Sequence, residues 1–275
     1  LYGLINNMSI VPVRLTYISV DDYKTKKFNF ILTIDELKDF FYKSIDDYTR
    51  WHQTLSEAST VKLDTLKDIT FPFANKRQGQ SELMKATYLT MKANSILYAI
   101  APTGIGKTMA TIFSTLKSMT KPNEKLFYLT AKTIGREVAI DSFRMLQNEG
   151  LKLHAIVISS KAKSCASKMQ HCDPEKCSFA KGYFSRLRQA IEDIYTNEIL
   201  YNQETIMKYA LKYNICPFEY SLDLSYFCDA IICDYNYVFD PKAHLIRYFE
   251  DTEYQPKILC DESHNLVERS KDMYS

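Results

Sequence analysis

Residues 101–108 combine the residue types that bind phosphate groups. The run reads Ala101, Pro102, Thr103, Gly104, Ile105, Gly106, Lys107, Thr108. Glycines let successive backbone N–H groups turn toward one anion, and the amino end of the following helix adds its positive dipole. Lys107 would then reach the outer phosphates, and the Thr108 hydroxyl would bind Mg2+. A Gly-rich turn that binds nothing is the alternative, but a Lys-Thr pair directly after the second glycine favours a nucleoside triphosphate site.

An acidic pair follows an apolar run far downstream of this loop. Asp261 and Glu262 come directly after residues 257–260, which have the pattern of a short buried strand. A carboxylate at the carboxyl end of a neighbouring parallel strand can hold the magnesium, and the adjacent one can orient or deprotonate water. Such a pair on its own is often a solvated turn. Together with Lys107 and Thr108, and in this order, it predicts nucleotide hydrolysis.

Four of the seven cysteines lie around a segment without regular periodicity. These are Cys165, Cys172, Cys177 and Cys216. Four thiolates from such loops suit an iron–sulfur cluster or a structural zinc ion. The spacing departs from the paired C-x2-C of common zinc modules, which favours a cluster without deciding the question. Cys228, Cys233 and Cys260 lie on or beside apolar runs and are expected to be inert core residues.

The same segment is locally basic and contains neighbouring aromatic residues. Seven Lys or Arg residues occur between positions 161 and 188, with Tyr183 and Phe184 among them. Basic groups with interleaved aromatics are typical of surfaces that follow a nucleic-acid backbone and stack its bases. A solvated helix face with two core aromatics explains the composition equally well.

The elements that must position these residues follow a repeating rhythm. Apolar runs at residues 96–100, 126–129, 155–158, 230–233 and 257–260 predict buried strands, and helical patterns lie between them. This order predicts an α/β fold, a parallel sheet with covering helices, which residues 71–160 and 229–275 would form. The resemblance to a known family given below implies that this sheet is RecA-like and forms a first motor domain. Residues 161–228 would be a mostly helical, cysteine-rich insertion with helices near 182–196 and 203–213.

The amino-terminal part of the chain has a different pattern. Alternating residues at 11–32 predict a β-hairpin, and Thr33 with Glu36 forms a capping box for a helix to about Trp51. We expect residues 1–55 to be the α+β tail of a preceding domain and residues 56–70 to be a linker. No catalytic constellation occurs before residue 60.

Composition sets broad limits. The 275 residues carry a formal net charge of +2, so any nucleic-acid signal must be local. No run predicts a membrane span or a signal peptide, and an odd number of cysteines favours a reducing, cytoplasmic location. The chain begins at Leu1 and ends soon after the acidic pair, which predicts a fragment.

Several motifs, taken in order, resemble those of the iron–sulfur superfamily-two DNA helicases of the XPD/DinG type. Arg77 to Gln80 resembles the adenine-reading motif, in which Gln80 would bind the base, and residues 101–108 resemble Walker A. Residues 128–133 resemble motif Ia, residues 261–264 resemble DEAH, and the four cysteines match the cluster ligands. A nuclease-like domain precedes the motor in the bacterial members that the chain most resembles.

The resemblance implies an ATP-dependent DNA helicase with ATP, Mg2+ and a 4Fe-4S cluster as cofactors. It implies Arg77, Gln80 and residues 101–108 as the ATP site, Thr108 and Asp261 as magnesium ligands, and Glu262 as the residue that activates water. Thr130, Lys132, Tyr183 and Arg186 are the DNA contacts that we predict. Movement in the 5′-to-3′ sense and a role in DNA repair are family expectations.

Two other interpretations remain open at this stage. The chain could be a non-enzymatic nucleic-acid-binding module, or an ATPase whose cysteines hold structural zinc. Since this superfamily closes ATP between two motor domains, we expect the first domain alone to bind nucleotide weakly and to unwind little or no DNA. DNA structure, protein partners and oligomeric state cannot be inferred.

Overall fold

The computed structural model describes residues 2–167, 172–173, 175–250 and 253–274. Contacts between Cα atoms divide the chain into two compact units, residues 1–57 and residues 58–275. None of the helices within the described residues is both long enough and apolar enough to cross a membrane.

The first unit contains the predicted hairpin. After a short helix, α1 (Tyr2–Ile5), strands β1 (Ile10–Ile18) and β2 (Thr25–Thr33) pair antiparallel over their full lengths. The hairpin prediction is therefore confirmed. Most side chains along both strands are exposed.

Helix α2 (Ile34–Asp68) begins at the predicted capping box. The Glu36 N–H donates to the Thr33 hydroxyl at 3.2 Å, and the Thr33 N–H donates to the Glu36 carboxylate at 2.7 Å. The backbone bond from Thr33 holds the pKa of Glu36 below its ordinary value. Both orphan groups of a capping box are thus satisfied.

The predictions that this helix ends near Trp51 and that residues 56–70 form a linker are wrong. Helix α2 continues to Asp68. The chain has no glycine or proline between residues 34 and 68, so nothing in the backbone chemistry interrupts the helix. Its last turns also bury Lys62 and Leu66, which stabilises a stretch that looks polar in sequence.

The second unit is a parallel α/β sheet with helices around it. Its strands are β3 (Glu124–Leu129), β4 (Ala155–Val157), β5 (Leu200–Tyr201), β6 (Ala230–Cys233) and β7 (Gln255–Cys260). Its helices are α3 (Gln80–Lys92), α4 (Lys107–Ser118), α5 (Thr133–Asn148), α6 (Lys161–Ser164), α7 (Tyr183–Asn197), α8 (Gln203–Tyr213), α9 (Pro217–Leu224), α10 (Asn236–Phe239) and α11 (Asn265–Met273). The strand order is β5-β4-β6-β3-β7, and every pair is parallel. The predicted fold class is confirmed.

Strand β3 lies at the centre of the core. All six of its residues are buried, because β6 and β7 pair with its two edges. Leu126 and Tyr128 belong to the same apolar cluster as residues of α4 and α5, whereas the ring of Phe127 packs against Tyr248. Continuous burial on both faces is typical of a parallel strand.

The prediction of a buried strand at residues 96–100 is wrong. Residues 95–100, here called the open segment, have no strand assignment, and Ile100 is fully exposed. Among the described residues no strand pairs with this segment. An apolar run becomes a buried strand only where a neighbouring edge accepts its backbone hydrogen bonds.

The segment at residues 161–228 is less separate from the sheet than predicted. Helices α7 and α8 confirm the two predicted helical stretches. Between them, however, β5 pairs with β4 and adds an edge strand to the sheet. Tyr201 in β5 is completely buried. The segment therefore contributes directly to the motor-domain core.

Candidate functional site

The candidate phosphate loop, residues 101–106, leads directly into α4. Gly104 and Gly106 have φ angles of +83° and +78°. This left-handed region is one that glycine adopts at no steric cost. A Cβ atom at Gly106 would also lie 2.7 Å from the amide nitrogen of Gln80, so the position has no room for a side chain. The backbone conformation that the glycine pattern predicted is present.

Lys107 folds back over this loop. Its amine donates hydrogen bonds to the carbonyl oxygens of Ala101 at 3.0 Å and Pro102 at 3.4 Å. The amine is thereby held at the mouth of the loop at the amino end of α4. Positive charge from the lysine and from the helix dipole acts at the same place.

Arg77 and Gln80 tie the start of α3 to the phosphate loop. The Gln80 amide donates to the carbonyl of Ile105 at 2.9 Å and accepts from the Arg77 N–H at 3.1 Å. The Arg77 guanidinium donates to the carbonyl of Gly104. Gln80 is buried, with both ends of its amide occupied. In this arrangement the Gln80 side chain positions the loop. Because Gln80 also lines a cavity beside the loop, its role in reading the adenine stays a prediction.

A cavity of about 350 Å³ opens beside the loop. The residues that line it include Phe73 and Asn75 on one side and Val138 and Met145 of α5 on the other, with Gly106 at the loop. An aromatic and aliphatic lining with a few polar groups is typical of small-molecule sites. The cavity is large enough for a nucleoside.

The acidic turn follows β7 and lies at the carboxyl end of the sheet. The Asp261 N–H donates to the Leu129 carbonyl at 3.0 Å, which extends the β3–β7 pairing to this residue. Burial raises the pKa of Asp261, and a hydrogen bond from Tyr128 opposes that rise. The charge of Lys107 also acts on this carboxylate, so the loop and the turn face each other as predicted.

Glu262 has a strained backbone that its surroundings hold in place. Its φ angle is +52°, a region that non-glycine residues seldom adopt. The Tyr235 hydroxyl donates to the carbonyls of Asp261 and Glu262, and the Asn265 amide donates to the Glu262 carbonyl at 2.9 Å. Strain that is fixed by several contacts is characteristic of functional sites. The Glu262 side chain is directed away from the core and is exposed.

The structure adds two residues that sequence reasoning missed. The Tyr128 hydroxyl donates to the Thr108 hydroxyl at 3.3 Å, and it also acts to lower the pKa of Asp261. At Gly135, a Cβ atom would lie 2.5 Å from the Thr130 hydroxyl and 3.1 Å from the Asp261 carboxylate. A glycine in the first turn of a helix, where it weakens the helix, is a signal that could have indicated this close approach.

Some of the predicted DNA contacts are exposed to solvent, whereas others are buried in the protein. Lys132 is exposed. Thr130 is buried, and its hydroxyl accepts from the Lys132 N–H at 3.4 Å. Tyr183 is also buried, and its hydroxyl donates to Asp223 at 2.8 Å. The prediction that Tyr183 stacks on a base is therefore wrong, because its ring packs inside the protein.

Arg186 likewise has a structural role in this conformation. Its guanidinium donates to the carbonyls of Lys181 at 2.7 Å and Asn214 at 2.9 Å, which joins the turn before α7 to the end of α8. The neighbouring Phe184 is 83% exposed. Of Tyr183 and Phe184, Phe184 is the residue that a ligand can reach.

The four candidate cluster ligands differ in exposure. Cys165 and Cys172 are exposed, Cys177 is buried and Cys216 is half-buried. Lys161 forms a hydrogen bond with Cys172. Burial raises the pKa of the Cys216 thiol, and hydrogen bonds from the backbone of Glu219 and Phe218 oppose that rise. Within the described ranges, no three His, Cys, Asp or Glu residues form a group that could hold a metal ion.

The other three cysteines have the predicted structural positions. Cys228 and Cys233 are completely buried beside and within β6, and burial raises the pKa of both thiols. Cys260 is half-buried at the end of β7. Buried thiols with raised pKa are poor nucleophiles and poor metal ligands.

Comparisons with known proteins agree with this geometry. Residues 144–275 match the DEAD_2 family. Over 125 residues the chain is 30% identical to the regulator of telomere elongation helicase 1 homolog of Aedes aegypti, an alignment that covers 42% of this chain and 12% of that protein. An XPD helicase structure aligns with a TM-score of 0.51 and 21% identity over 72% of this chain and 34% of the other. The chain thus spans a small part of its curated relative.

The aligned XPD helicase structure shows the fold, a RecA-like parallel sheet, and the phosphate loop leads into α4. The family match of residues 144–275 and the likeness to the telomere elongation helicase homolog support the resemblance to superfamily-two helicases of the XPD/DinG type that the motifs carry.

Proposed function

We propose that this chain binds ATP and supplies the first motor domain of a DNA helicase that couples ATP hydrolysis to strand separation. The observation that supports this most strongly is the meeting of two distant motifs. Tyr128 donates a hydrogen bond to Thr108 at 3.3 Å, and Tyr128 and Lys107 both act to lower the pKa of Asp261, so the two motifs lie within electrostatic reach of each other. We expect residues 107 and 261 to lie close together because α4 begins, and β7 ends, at the same edge of the sheet.

The loop residues would bind the phosphates. Lys107 would exchange its bonds to the Ala101 and Pro102 carbonyls for bonds to the outer phosphate oxygens. The N–H groups of the loop and of the first turn of α4 would bind the same oxygens. Gln80 and Arg77 would fix the loop through their bonds to Ile105 and Gly104. The cavity lined by Phe73 and Met145 would receive the nucleoside.

The acidic turn would position metal and water. Thr108 and Asp261 offer the hard oxygen atoms that Mg2+ prefers, and the Tyr128 hydroxyl that donates to Thr108 also acts on the pKa of Asp261. Bound Mg2+ would neutralise phosphate charge. Glu262, held by Tyr235 and Asn265, would orient the attacking water or accept its proton. The strained backbone of Glu262 would keep this side chain on the solvent side of the turn.

Nucleotide binding tests this proposal directly. We expect Lys107→Ala to weaken the binding of a fluorescent ATP analogue in Mg2+ by about tenfold or more, since a charge-assisted bond to phosphate is removed. Lys85→Ala is the matched control, because Lys85 is an exposed lysine on α3. The affinity for single-stranded DNA should not change in either variant. Equal nucleotide affinity in all three proteins would contradict the ATP site.

We also propose that Cys165, Cys172, Cys177 and Cys216 hold a 4Fe-4S cluster. The support is the chemistry of the donor set: four thiols of which Cys216 already receives backbone hydrogen bonds at the start of α9, while Lys161 reaches Cys172. A cluster would rigidify the connection in which these residues lie.

Metal analysis separates the cluster from a zinc site. Protein purified without oxygen should contain iron and sulfide and should absorb visible light. Cys216→Ser should lose this absorption, whereas Cys260→Ser, a control at the end of β7, should keep it. A colourless protein loaded with zinc would contradict the cluster and leave the structural zinc interpretation.

DNA is the proposed partner. Lys132 at the amino end of α5 and Phe184 on α7 are the exposed candidates for backbone and base contacts. A role in DNA repair and a cytoplasmic location belong to the same proposal. They rest on the family resemblance and on the odd number of cysteines, respectively.

A further inference from the structure

The guanidinium of Arg186 joins the turn before α7 to the end of α8. It donates to the carbonyl oxygens of Lys181 at 2.7 Å and Asn214 at 2.9 Å. A longer contact reaches the carbonyl of Ser178 at 3.4 Å. Because an arginine has five N–H donors in a planar fork and no acceptor, one side chain can hold several carbonyl groups together. Two segments that are distant in sequence are therefore linked through one residue.

Asn214 adds a second bond between the same two segments. Its φ angle is +51°, in the left-handed region in which asparagine can end a helix. Its side-chain amide donates to the carbonyl of Ser178 at 3.3 Å, the same oxygen that Arg186 contacts. Arg186 thus donates toward the end of α8 and Asn214 donates back toward the turn, so the link does not depend on a single contact.

Each of the two linked segments carries a proposed metal ligand. The carbonyl of Cys177 accepts from the N–H of Lys181 at 2.9 Å, which closes the turn around that cysteine. Cys216 follows Asn214 with one residue between them and is the N-cap residue of α9. The bonds of Arg186 therefore restrict where Cys177 can lie relative to Cys216.

Gly182 leaves the room that the guanidinium occupies. Its φ angle is +68°, and a Cβ atom there would lie 2.9 Å from Nη1 of Arg186. Since this distance is too short for a carbon atom, any side chain at position 182 would displace the guanidinium or the turn. The contact between turn and guanidinium thus depends on the residue types at both positions.

We propose that Arg186 is a positioning residue that holds Cys177 and Cys216 in place to bind one metal centre. This inference rests on the proposed function, because it concerns the same four-cysteine site, and it applies whether that site takes iron or zinc. Ordering two separate loops when the metal binds costs conformational entropy, and a link that exists beforehand removes part of that cost. Groups that position metal ligands commonly change metal affinity by about 10–100-fold.

Titration with Co2+ tests this role without assembly of a cluster. Cobalt bound by thiolates absorbs visible light, so binding to the metal-free protein can be followed directly in the absence of oxygen. We expect Arg186→Gln to raise the Co2+ concentration at half-saturation by about tenfold or more. Arg186→Lys keeps a charged donor and should restore part of the affinity. Arg188→Gln is the matched control, because Arg188 is exposed on the same helix and pairs with Glu192.

The spectrum at saturation separates positioning from the loss of a ligand. All four thiolates remain in Arg186→Gln, so its final spectrum should match that of wild-type protein, whereas Cys216→Ser should change it. A second variant, Asn214→Gly, tests the link if Arg186→Gln fails to fold. It keeps the left-handed backbone and removes the bond to Ser178, and it should raise the half-saturating Co2+ concentration by about two- to tenfold.

The outcomes separate this inference from the proposed function. If wild-type protein binds no Co2+ through its thiolates and is purified without iron or zinc, the proposed four-cysteine site fails. If wild-type protein binds Co2+, and Arg186→Gln and Asn214→Gly both bind it as tightly as Arg188→Gln does, the positioning role of Arg186 is overturned.

Discussion

Residues 126–129 of β3 and residues 96–100 of the open segment are both apolar in sequence, yet the first run is buried and the second is largely exposed. Each is a short run of aliphatic and aromatic residues that leads into a functional turn. In β3 every residue is buried, because β6 and β7 supply both hydrogen-bonding edges and α4 and α5 cover one face. In the open segment Ile96, Tyr98 and Ile100 are all more than 80% exposed. Hydrophobicity indicates where a strand could form, but the neighbouring edges decide whether it does.

The largest expected effect on the free energy of unfolding comes from a buried ion pair between α2 and the residue before β6. The Lys62 amine lies 2.7 Å from the Asp229 carboxylate just before β6, and it donates to the Pro122 carbonyl at 2.8 Å. Lys62→Met leaves Asp229 without this partner and should lower the free energy of unfolding by about 3–5 kcal/mol. Urea denaturation followed by circular dichroism measures the change.

Lys67 on the same helix is the control for that experiment. Its pair with Asp64 is exposed, so Lys67→Met should change the free energy of unfolding by at most about 1 kcal/mol. Equal effects of the two substitutions would show that Lys62 is not buried in solution.

A matched pair of leucines compares the two apolar runs directly. Leu129 in β3 is completely buried, whereas Leu97 in the open segment is 40% exposed. Leu129→Ala should lower the free energy of unfolding by about 2–5 kcal/mol, because it leaves a cavity in the core. Leu97→Ala should cost less than about 1 kcal/mol. A large cost at Leu97 in the same urea titration would show that the open segment is packed in solution.

The smallest of the three expected effects is a pH dependence of stability, and it comes from a side chain that is buried in the sheet domain. His154, just before β4, stacks on Tyr195 and contacts the Tyr201 hydroxyl at 2.5 Å. Burial lowers the pKa of His154 to about 4 from its ordinary value of 6.5. Below pH 6.5 the unfolded chain binds the proton and the folded protein does not, so stability should fall between pH 6.5 and 4. The full loss would be about 3 kcal/mol, at 1.4 kcal/mol for each pKa unit.

Denaturation at several pH values measures this loss. His154→Asn should flatten the decline, whereas His52→Asn on the exposed part of α2 should leave it unchanged. A decline that persists in His154→Asn would assign the pH dependence to other groups.

Local chemistry predicted much of the fold. The hairpin and the capping box of Thr33 depend on neighbours in sequence, and both formed as expected. Four of the five predicted sheet strands formed, since each of them found a parallel partner. The fifth did not, because no sequence pattern states which edge a run will meet. Strand β5 was missed because two residues are too short to show a period.

The sequence predicted which residues form the site better than it predicted the contacts that their side chains make. Lys107, Thr108 and Asp261 lie together, because strand and helix ends follow from the order of elements. The bond from Gln80 to the carbonyl of Ile105 was not predicted, because a glutamine amide fits a carbonyl as well as a base. Tyr183 was misjudged because aromatic residues serve stacking surfaces and cores alike. Only the folded structure shows whether such a side chain is available to a ligand or is packed inside the protein.

The pairing of β4 with β5 has a mechanical consequence for the cysteine-bearing segment. Cys165, Cys172 and Cys177 lie in the connection between these two adjacent parallel strands, and Cys216 lies in the connection from β5 to β6. The segment is therefore joined to the sheet through three strands, β4, β5 and β6, and not through a single connection. A force applied to the segment acts along β4, β5 and β6. Strand β6 pairs with β3, and β3 pairs on its other edge with β7, which leads directly to Asp261. A load on the cysteines thus has a continuous hydrogen-bonded route to the acidic turn.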